Sequence, residues 1–320
     1  MVYVQKRHAS RQVTPKPVGV SRFGALRLLD RDAALDGISG NLSRFYLSLP
    51  LAGLATLTVL YIAQRPLFYW MLREDRPVEW GQFALCVFTT VVAVLAGLRF
   101  ARRGYWLPAA ILIAVALVSL VLAGEEISWG QRAIGLATPA DWGANNRQKE
   151  TNFHNVNSVG AGLTADQISK VIELLIGLGG LTLSLLARHP RSRLGDRGWR
   201  LVMPPLVAAP AFAMMVAYQL MMLLLGVELS PAIVLQEWME LALYVSVALT
   251  LSCNFVRGGV PRPRPAGEDG PVSPAPVTET DRQALLGVAT SVLLVTLVLA
   301  ILTSLTGMVP GNVPTSLPRL

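Results

Sequence analysis

Seven stretches of this chain are too long and too apolar to belong to ordinary soluble elements. The clearest, Leu107 to Gly124, contains no charged side chain at all. A bilayer core takes about 20 such residues in one helix. Inside lipid only helices and closed barrels satisfy their own backbone groups. The seven runs are roughly Leu47–Ala63, Gly81–Leu98, Leu107–Gly124, Lys170–Ala187, Leu201–Leu225, Ala232–Ser252 and Ala284–Met308. They predict an all-α fold, a polytopic integral membrane bundle of about seven transmembrane helices. Composition agrees. Charged residues are 15% of the chain and hydrophobic ones 52%, whereas soluble domains carry roughly 25% charge.

The loops between the runs set an expected orientation. Of the 28 Lys and Arg, 20 lie in the N-terminal tail, Arg99–Arg103, Arg188–Arg200 and Arg257–Arg282. The positive-inside rule then places the N-terminus inside and the C-terminus outside. Of the 20 acids, 12 fall on or near the other side. The net charge of +8 is therefore read as loop topology, with the lipid bilayer as partner and no nucleic acid. Residues 1–46 carry eight basic residues and no apolar run. They are read as a cytoplasmic tail rather than a signal peptide, which needs an apolar core. Phe23–Leu35 suits an amphipathic helix lying on the inner leaflet. Residues 47–252 form the expected six-helix domain, with a long outer loop over 125–168. Residues 253–283, with Val260-Pro261-Arg262-Pro263-Arg264-Pro265, read as a Pro/Gly-rich cytoplasmic linker. Residues 284–320 give a seventh helix and a short outer tail, suited to docking a membrane-protein partner.

Within the spans, Gly180 and Ser184 form a small-xxx-small pair expected at a close helix contact. Pro204, Pro205 and Pro210 predict a bent or broken fifth span. Cys86 and Cys253 fall at different depths and are expected to remain unpaired.

The third run ends in Glu125-Glu126-Ile127-Ser128-Trp129-Gly130-Gln131-Arg132. Acids at a bilayer edge are costly unless paired, wet or used. If the helix continues, Glu125, Trp129 and Arg132 share a face, and a Glu125–Arg132 ion pair is one reading. A functional pair of acids is the other. Downstream, Asn145-Asn146-Arg147-Gln148-Lys149-Glu150-Thr151-Asn152-Phe153-His154-Asn155 is dense in hydrogen-bonding side chains. Extended or helical, it places Glu150 and His154 on a common surface. Thr138-Pro139-Ala140-Asp141-Trp142 reads as the start of a short helix. Glu79, Glu173, Glu237 and Glu240 approach the same membrane face from other spans. Gln236 stands four residues before Glu240.

The expected site is an outward-facing carboxylate and amide cavity. Glu125, Glu126, Glu150 and His154 are its candidate acid–base groups. Trp129, Arg132, Asn145, Asn146, Gln148, Asn152, Asn155, Glu237 and Glu240 are its candidate substrate contacts. There is no haem, flavin or nucleotide motif, and His154 is the only histidine on that side, which excludes a histidine-rich zinc site. A divalent cation on oxygen ligands stays open.

The Glu125–Arg132 and Asn145–Asn155 segments resemble a group of uncharacterised bacterial polytopic membrane proteins. These carry a Glu-Glu-Ile-Ser-Trp-Gly-Gln-Arg block and an Asn-, Gln- and Glu-rich stretch ending in His-Asn. The resemblance covers roughly 30 residues and implies a bacterial plasma membrane, with no activity to carry over. CAAX-type intramembrane proteases also begin their first motif with Glu-Glu. Here the arginine spacing differs and the histidine motifs are missing, so that resemblance fails. Three functions follow as expectations. One binds or processes a polar head group, such as a lipid-linked saccharide. Another is a transporter or cation/proton pathway. The third is an assembly subunit.

Overall fold

The computed structural model describes residues 33, 38–73, 76–146, 149–153, 155–157, 164–186, 203–225, 230–257 and 278–306. Those residues are helical with no strand, and seven of the helices are long and apolar enough to cross a membrane. This is a multi-pass membrane protein. The expected helix at Phe23–Leu35, Ala33 apart, lies outside the described residues, as do 187–202, 258–277 and 307–320.

Helix α1 (Gly40–Ala63) begins earlier than the apolar run because Ser39 accepts the Leu42 N–H at 3.4 Å, an N-cap. A short α2 (Arg65–Met71) starts with proline in its first turn, where the missing N–H has no helical partner to lose. It folds Phe68 back against Leu57, with Tyr61 edge-on to Phe68 at 5.3 Å. Helix α3 (Pro77–Arg102) also opens on a proline. It turns at Gly104 (φ 81°) into α4 (Trp106–Glu126). The two pack along their length on Val92, Ala93, Ala96, Ala109, Leu112 and Ala116. Small residues let the backbones approach, which in lipid replaces the missing hydrophobic drive between helices.

After α4 come a 3-10 turn (Ser128–Gly130), α5 (Gln131–Ile134) and α6 (Ala140–Asn145). Then α7 (Ala165–Leu186) pairs with α8 (Ala209–Leu225). The close contact expected at Gly180 and Ser184 is present. A Cβ at Gly180 would sit 2.4 Å from the Phe212 ring. Of the two expectations for the fifth span, bent or broken, the described residues show a break. Pro204 and Pro205 precede a 3-10 turn (Leu206–Ala208), and Pro210 lies in the first turn of α8, where proline breaks no hydrogen bond. After α9 (Ser230–Val234), α10 (Gln236–Arg257) forms the centre of the bundle. Its span is 61% buried against α3, α8 and α1. Trp238 of α10 lies over Gly53 and donates to the Pro50 carbonyl at 3.3 Å.

Helix α10 runs five residues beyond the expected linker boundary, to Arg257. Helix α11 (Glu279–Thr306) begins five residues before the expected start of the seventh span. Thr278 caps α11 by accepting the Asp281 N–H at 3.1 Å. The seventh helix is packed rather than loosely appended. It contacts α3 at one end of the bundle and α5 at the other, though its apolar span is only 11% buried. Arg99 of α3 fastens it through Asp281 at 2.7 Å. Cys86 and Cys253 are both buried and are not joined in a disulfide.

Candidate functional site

Glu125 and Glu126 are consecutive on a helix, so their side chains leave about 100° apart. That single angle sends them into two different polar systems.

Glu125 belongs to the loop that follows α4. Helix α4 does not continue through Arg132. It stops at Ile127 because Ser128 (φ 46°), Trp129 (φ 55°) and Gly130 (φ 76°) all adopt left-handed backbone. For Ser and Trp that conformation costs about 1–2 kcal/mol each. Hydrogen bonds from the same residues offset it. Trp129 Nε1 donates to Glu125 Oε1 at 2.8 Å, and Ser128 Oγ donates to Glu150. The other Glu125 oxygen accepts the Phe153 N–H at 2.5 Å.

The loop beyond is neither the extended segment nor the helix considered from the sequence. It closes on itself through an Asn146–Val156 bridge. Asn152 Nδ2 donates to Ser128 Oγ at 3.1 Å and to Glu150 Oε2 at 3.2 Å. Asn146 Nδ2 donates to the Asn152 carbonyl and Oδ1, both at 2.8 Å, and Asn146 Oδ1 accepts the Glu150 N–H at 3.3 Å. Gln131 ties in α5. It donates to Thr138 and accepts from Thr151 N at 2.9 Å and Thr151 Oγ1 at 2.5 Å. Glu125, Ser128, Gln131, Asn146, Glu150, Asn152 and Asn155 are all buried. Asn145 stays exposed and bonds the Asp141 carbonyl at 3.2 Å. Two aromatic rings show on the outside of this knot: Trp129 is 52% and Phe153 59% exposed, with Trp142 edge-on to Phe153 at 5.1 Å. Gln148, His154 and the Arg132 side chain lie outside the described residues.

Glu126 turns the other way, into the bundle. Its carboxyl accepts from the Tyr244 hydroxyl of α10 at 3.2 Å. Glu240, Glu237 and Glu79 lie near enough to act on its charge. Glu240 is the hub. It accepts from Gln236 at 2.7 Å and from Gln82 of α3 at 3.3 Å, and it meets the carboxyl of Glu173 from α7 within hydrogen-bonding reach. Gln82 also donates to the Glu237 carbonyl at 2.8 Å, and Gln219 of α8 donates to Glu173. Five helices thus meet in one polar layer at the acid-bearing end of the bundle.

Two properties define that layer. Glu126, Glu173 and Glu240 are half-buried, whereas Gln82 and Gln219 are fully buried. Among the described residues, no Lys or Arg pairs with Glu126, Glu173 or Glu240. Lys170, one turn from Glu173, is engaged by Asp166 at 2.7 Å. The Oε1 atoms of Gln82 and Gln219 find no partner among the described residues. Two carboxyl groups in mutual contact are satisfied by a shared proton or an enclosed cation, and the amide oxygens offer further acceptors. No three His, Cys, Asp or Glu side chains among the described residues are disposed to hold a metal ion.

Sequence reasoning did not single out Gln82, Gln219, Tyr244, Ser128 or Gln131. The two glutamines carried a readable signal. Each is an amide within or at the edge of an apolar span, where an unpaired polar group is expensive. Ser128 gave none, since its role depends on the left-handed turn.

Below the layer, α10 carries Ser246, Thr250 and Asn254 at four-residue spacing, all buried. Thr250 donates to the Ser246 carbonyl at 2.7 Å. Both polar side-chain atoms of Asn254 lack a partner among the described residues. No protein-family model, curated protein or solved structure matches this chain.

Proposed function

We propose that this protein binds protons at an outward-facing carboxyl and amide layer in the bacterial plasma membrane and passes them inward along α10. The observation that carries the reading is the contact of Glu173 with Glu240, with Glu126 near enough for Glu240 to act on its charge and no basic partner for any of the three among the described residues. Intramembrane carboxyls retained for stability alone are normally neutralised by Lys or Arg. Those left without one mark ion or proton paths. Outward placement follows from the basic residues gathered at the opposite loops. The bacterial membrane follows from the resemblance of the Glu125–Arg132 block.

The Ser246, Thr250 and Asn254 column supports a route inward. From Glu240 to Asn254 the helix rises about 21 Å, most of a bilayer core. Tyr244, Ser246, Thr250 and Asn254 supply polar side chains along α10 between Glu240 and the basic end.

The test is proton flux in proteoliposomes holding a pH-sensitive dye, driven by a potassium diffusion potential. Wild-type protein should acidify the lumen faster than empty liposomes. Glu240→Gln and Glu126→Gln should slow this by about a hundredfold, the usual worth of a proton-transfer group. Wild-type flux in both variants would sink the reading.

A second reading is favoured by the exposed rings of Trp129 and Phe153 beside Glu125. Aromatic faces next to a carboxylate suit a polar head group such as a lipid-linked saccharide. Here Glu125, Glu150 and His154 would serve as acid–base groups. Unchanged envelope glycolipids in Trp129→Ala, Glu125→Gln and His154→Ala cells would dismiss it.

A further inference from the structure

The segment between α4 and α7 buries its polar groups and shows large apolar ones. Glu125, Glu150 and Asn152 are buried and bonded within the segment, while Ile134 is 66% and Leu136 61% exposed, beside the exposed Trp129 and Phe153. Polar groups that satisfy one another can leave water at little cost. We propose that this segment docks into the lipid boundary of the leaflet at the acid-bearing end of the bundle, with Trp129, Ile134, Leu136 and Phe153 as its anchors. The inference stands whether or not the acid layer carries protons.

Trp129 fixes the level. Gly124 follows Val121, Leu120 and Leu117 by three, four and seven residues, so it continues the stripe that they form along α4. All three are exposed on a helix long and apolar enough to cross a membrane, which makes that stripe a lipid-facing surface. The Trp129 ring lies on Gly124, since a Cβ there would come within 2.8 Å of it. The ring therefore covers the last turn of a lipid-facing stripe instead of standing clear of the bundle. Its Nε1 turns to Glu125 Oε1 at 2.8 Å. An indole with its ring on apolar surface and its N–H on a polar partner suits the membrane boundary.

The other anchors follow from the same frame. Helix α5, which carries Ile134, packs on α11, and the apolar span of α11 is itself almost bare. The segment is thus tied to two spans that face lipid. Phe153 is held beside Trp129 because its N–H occupies the second oxygen of Glu125. Asp141, Asn145 and Lys149 are exposed as well and supply the side that meets water. Apolar side chains of such an amphipathic segment sink about 5–10 Å into the boundary.

The experiment uses the full chain in nanodiscs of phosphatidylglycerol and phosphatidylethanolamine, read by spin-label accessibility. A nitroxide is attached at Ile134→Cys and at Phe153→Cys, with Asn145→Cys as the aqueous reference. Cys86 and Cys253 are buried, so the wild type treated with the label supplies the blank. Oxygen concentrates in lipid, and a nickel chelate stays in water. Labels at positions 134 and 153 should collide more with oxygen than with the chelate, and the label at position 145 the reverse. Lipids brominated near the ester carbonyls should quench the tryptophan emission of the wild type more than that of Trp129→Phe. Chelate collisions that outweigh oxygen at positions 134 and 153 place the segment in water and overturn the proposal. Labels reached by neither reagent place it under a second copy or another protein and overturn it equally. Equal quenching of the two proteins does the same.

Discussion

Replacing Asn152 by alanine should unlock the loop between α4 and α7 while leaving the bundle intact. Asn152 is 1% exposed and sits at the middle of the knot. Its amide nitrogen bonds Ser128 Oγ at 3.1 Å and the Glu150 carboxylate at 3.2 Å, and its oxygen accepts from Asn146 at 2.8 Å. Alanine removes all three. The bond to a charged carboxylate is worth about 1.5–3 kcal/mol and the neutral one to Ser128 about 1 kcal/mol. The Asn146 bond is partly retained, because Asn146 Nδ2 also reaches the Asn152 backbone carbonyl. The loss therefore totals about 2.5–4 kcal/mol, or two to three decades in the opening equilibrium of the loop. Hydrogen exchange in lipid nanodiscs reads this directly. Amides of 149–153 and 155–157 should exchange about a hundredfold to a thousandfold faster. Those of α3 and α10 should not change. Asn145→Ala, at an exposed position with one weak bond, is the control and should move exchange little. If Asn152→Ala changes loop exchange by less than about tenfold, the buried amide network does not hold the loop shut.

Other predictions concern the bundle. Gly180→Ala drives a Cβ into the buried Phe212 ring and should cost about 1–3 kcal/mol in detergent unfolding, whereas Gly179→Ala, which meets nothing within 4 Å, should be near neutral. Asp281→Asn leaves Arg99 partly unanswered beneath α11 and should lower stability by about 1–2 kcal/mol, checked by faster proteolysis at the start of that helix. Lys170→Ala removes a half-buried i,i+4 pair to Asp166, and the unfolding free energy should fall by no more than about 1 kcal/mol.

The bundle was legible because lipid imposes one simple requirement, and each span met it in sequence. Helix ends were less so. Proline at residue 77 and a serine cap at residue 39 moved them beyond the apolar runs. At the site, the acids were visible individually. The Glu237 and Glu240 spacing, with Gln236 one turn earlier, placed three polar groups together before any fold was known, and the Gln236 to Glu240 bond is present at 2.7 Å. What could not be read was partnership. Nothing in the order of residues joins Gln82 to Glu240 or Tyr244 to Glu126, since those pairs are 158 and 118 residues apart.

The sequence alone determined that the chain must be a helical membrane bundle with most of its acids toward one end. Backbone hydrogen bonding in hydrocarbon permits little else. Only the tertiary structure decided what the Glu125-Glu126 pair does. A left-handed turn at Ser128 and Trp129 folds the loop back onto Glu125, and the packing of α10 beside α4 brings Tyr244 to Glu126. Two neighbours of identical chemistry acquire separate partners because a helix rotates consecutive side chains apart, and which groups lie in those two directions is a property of the folded chain.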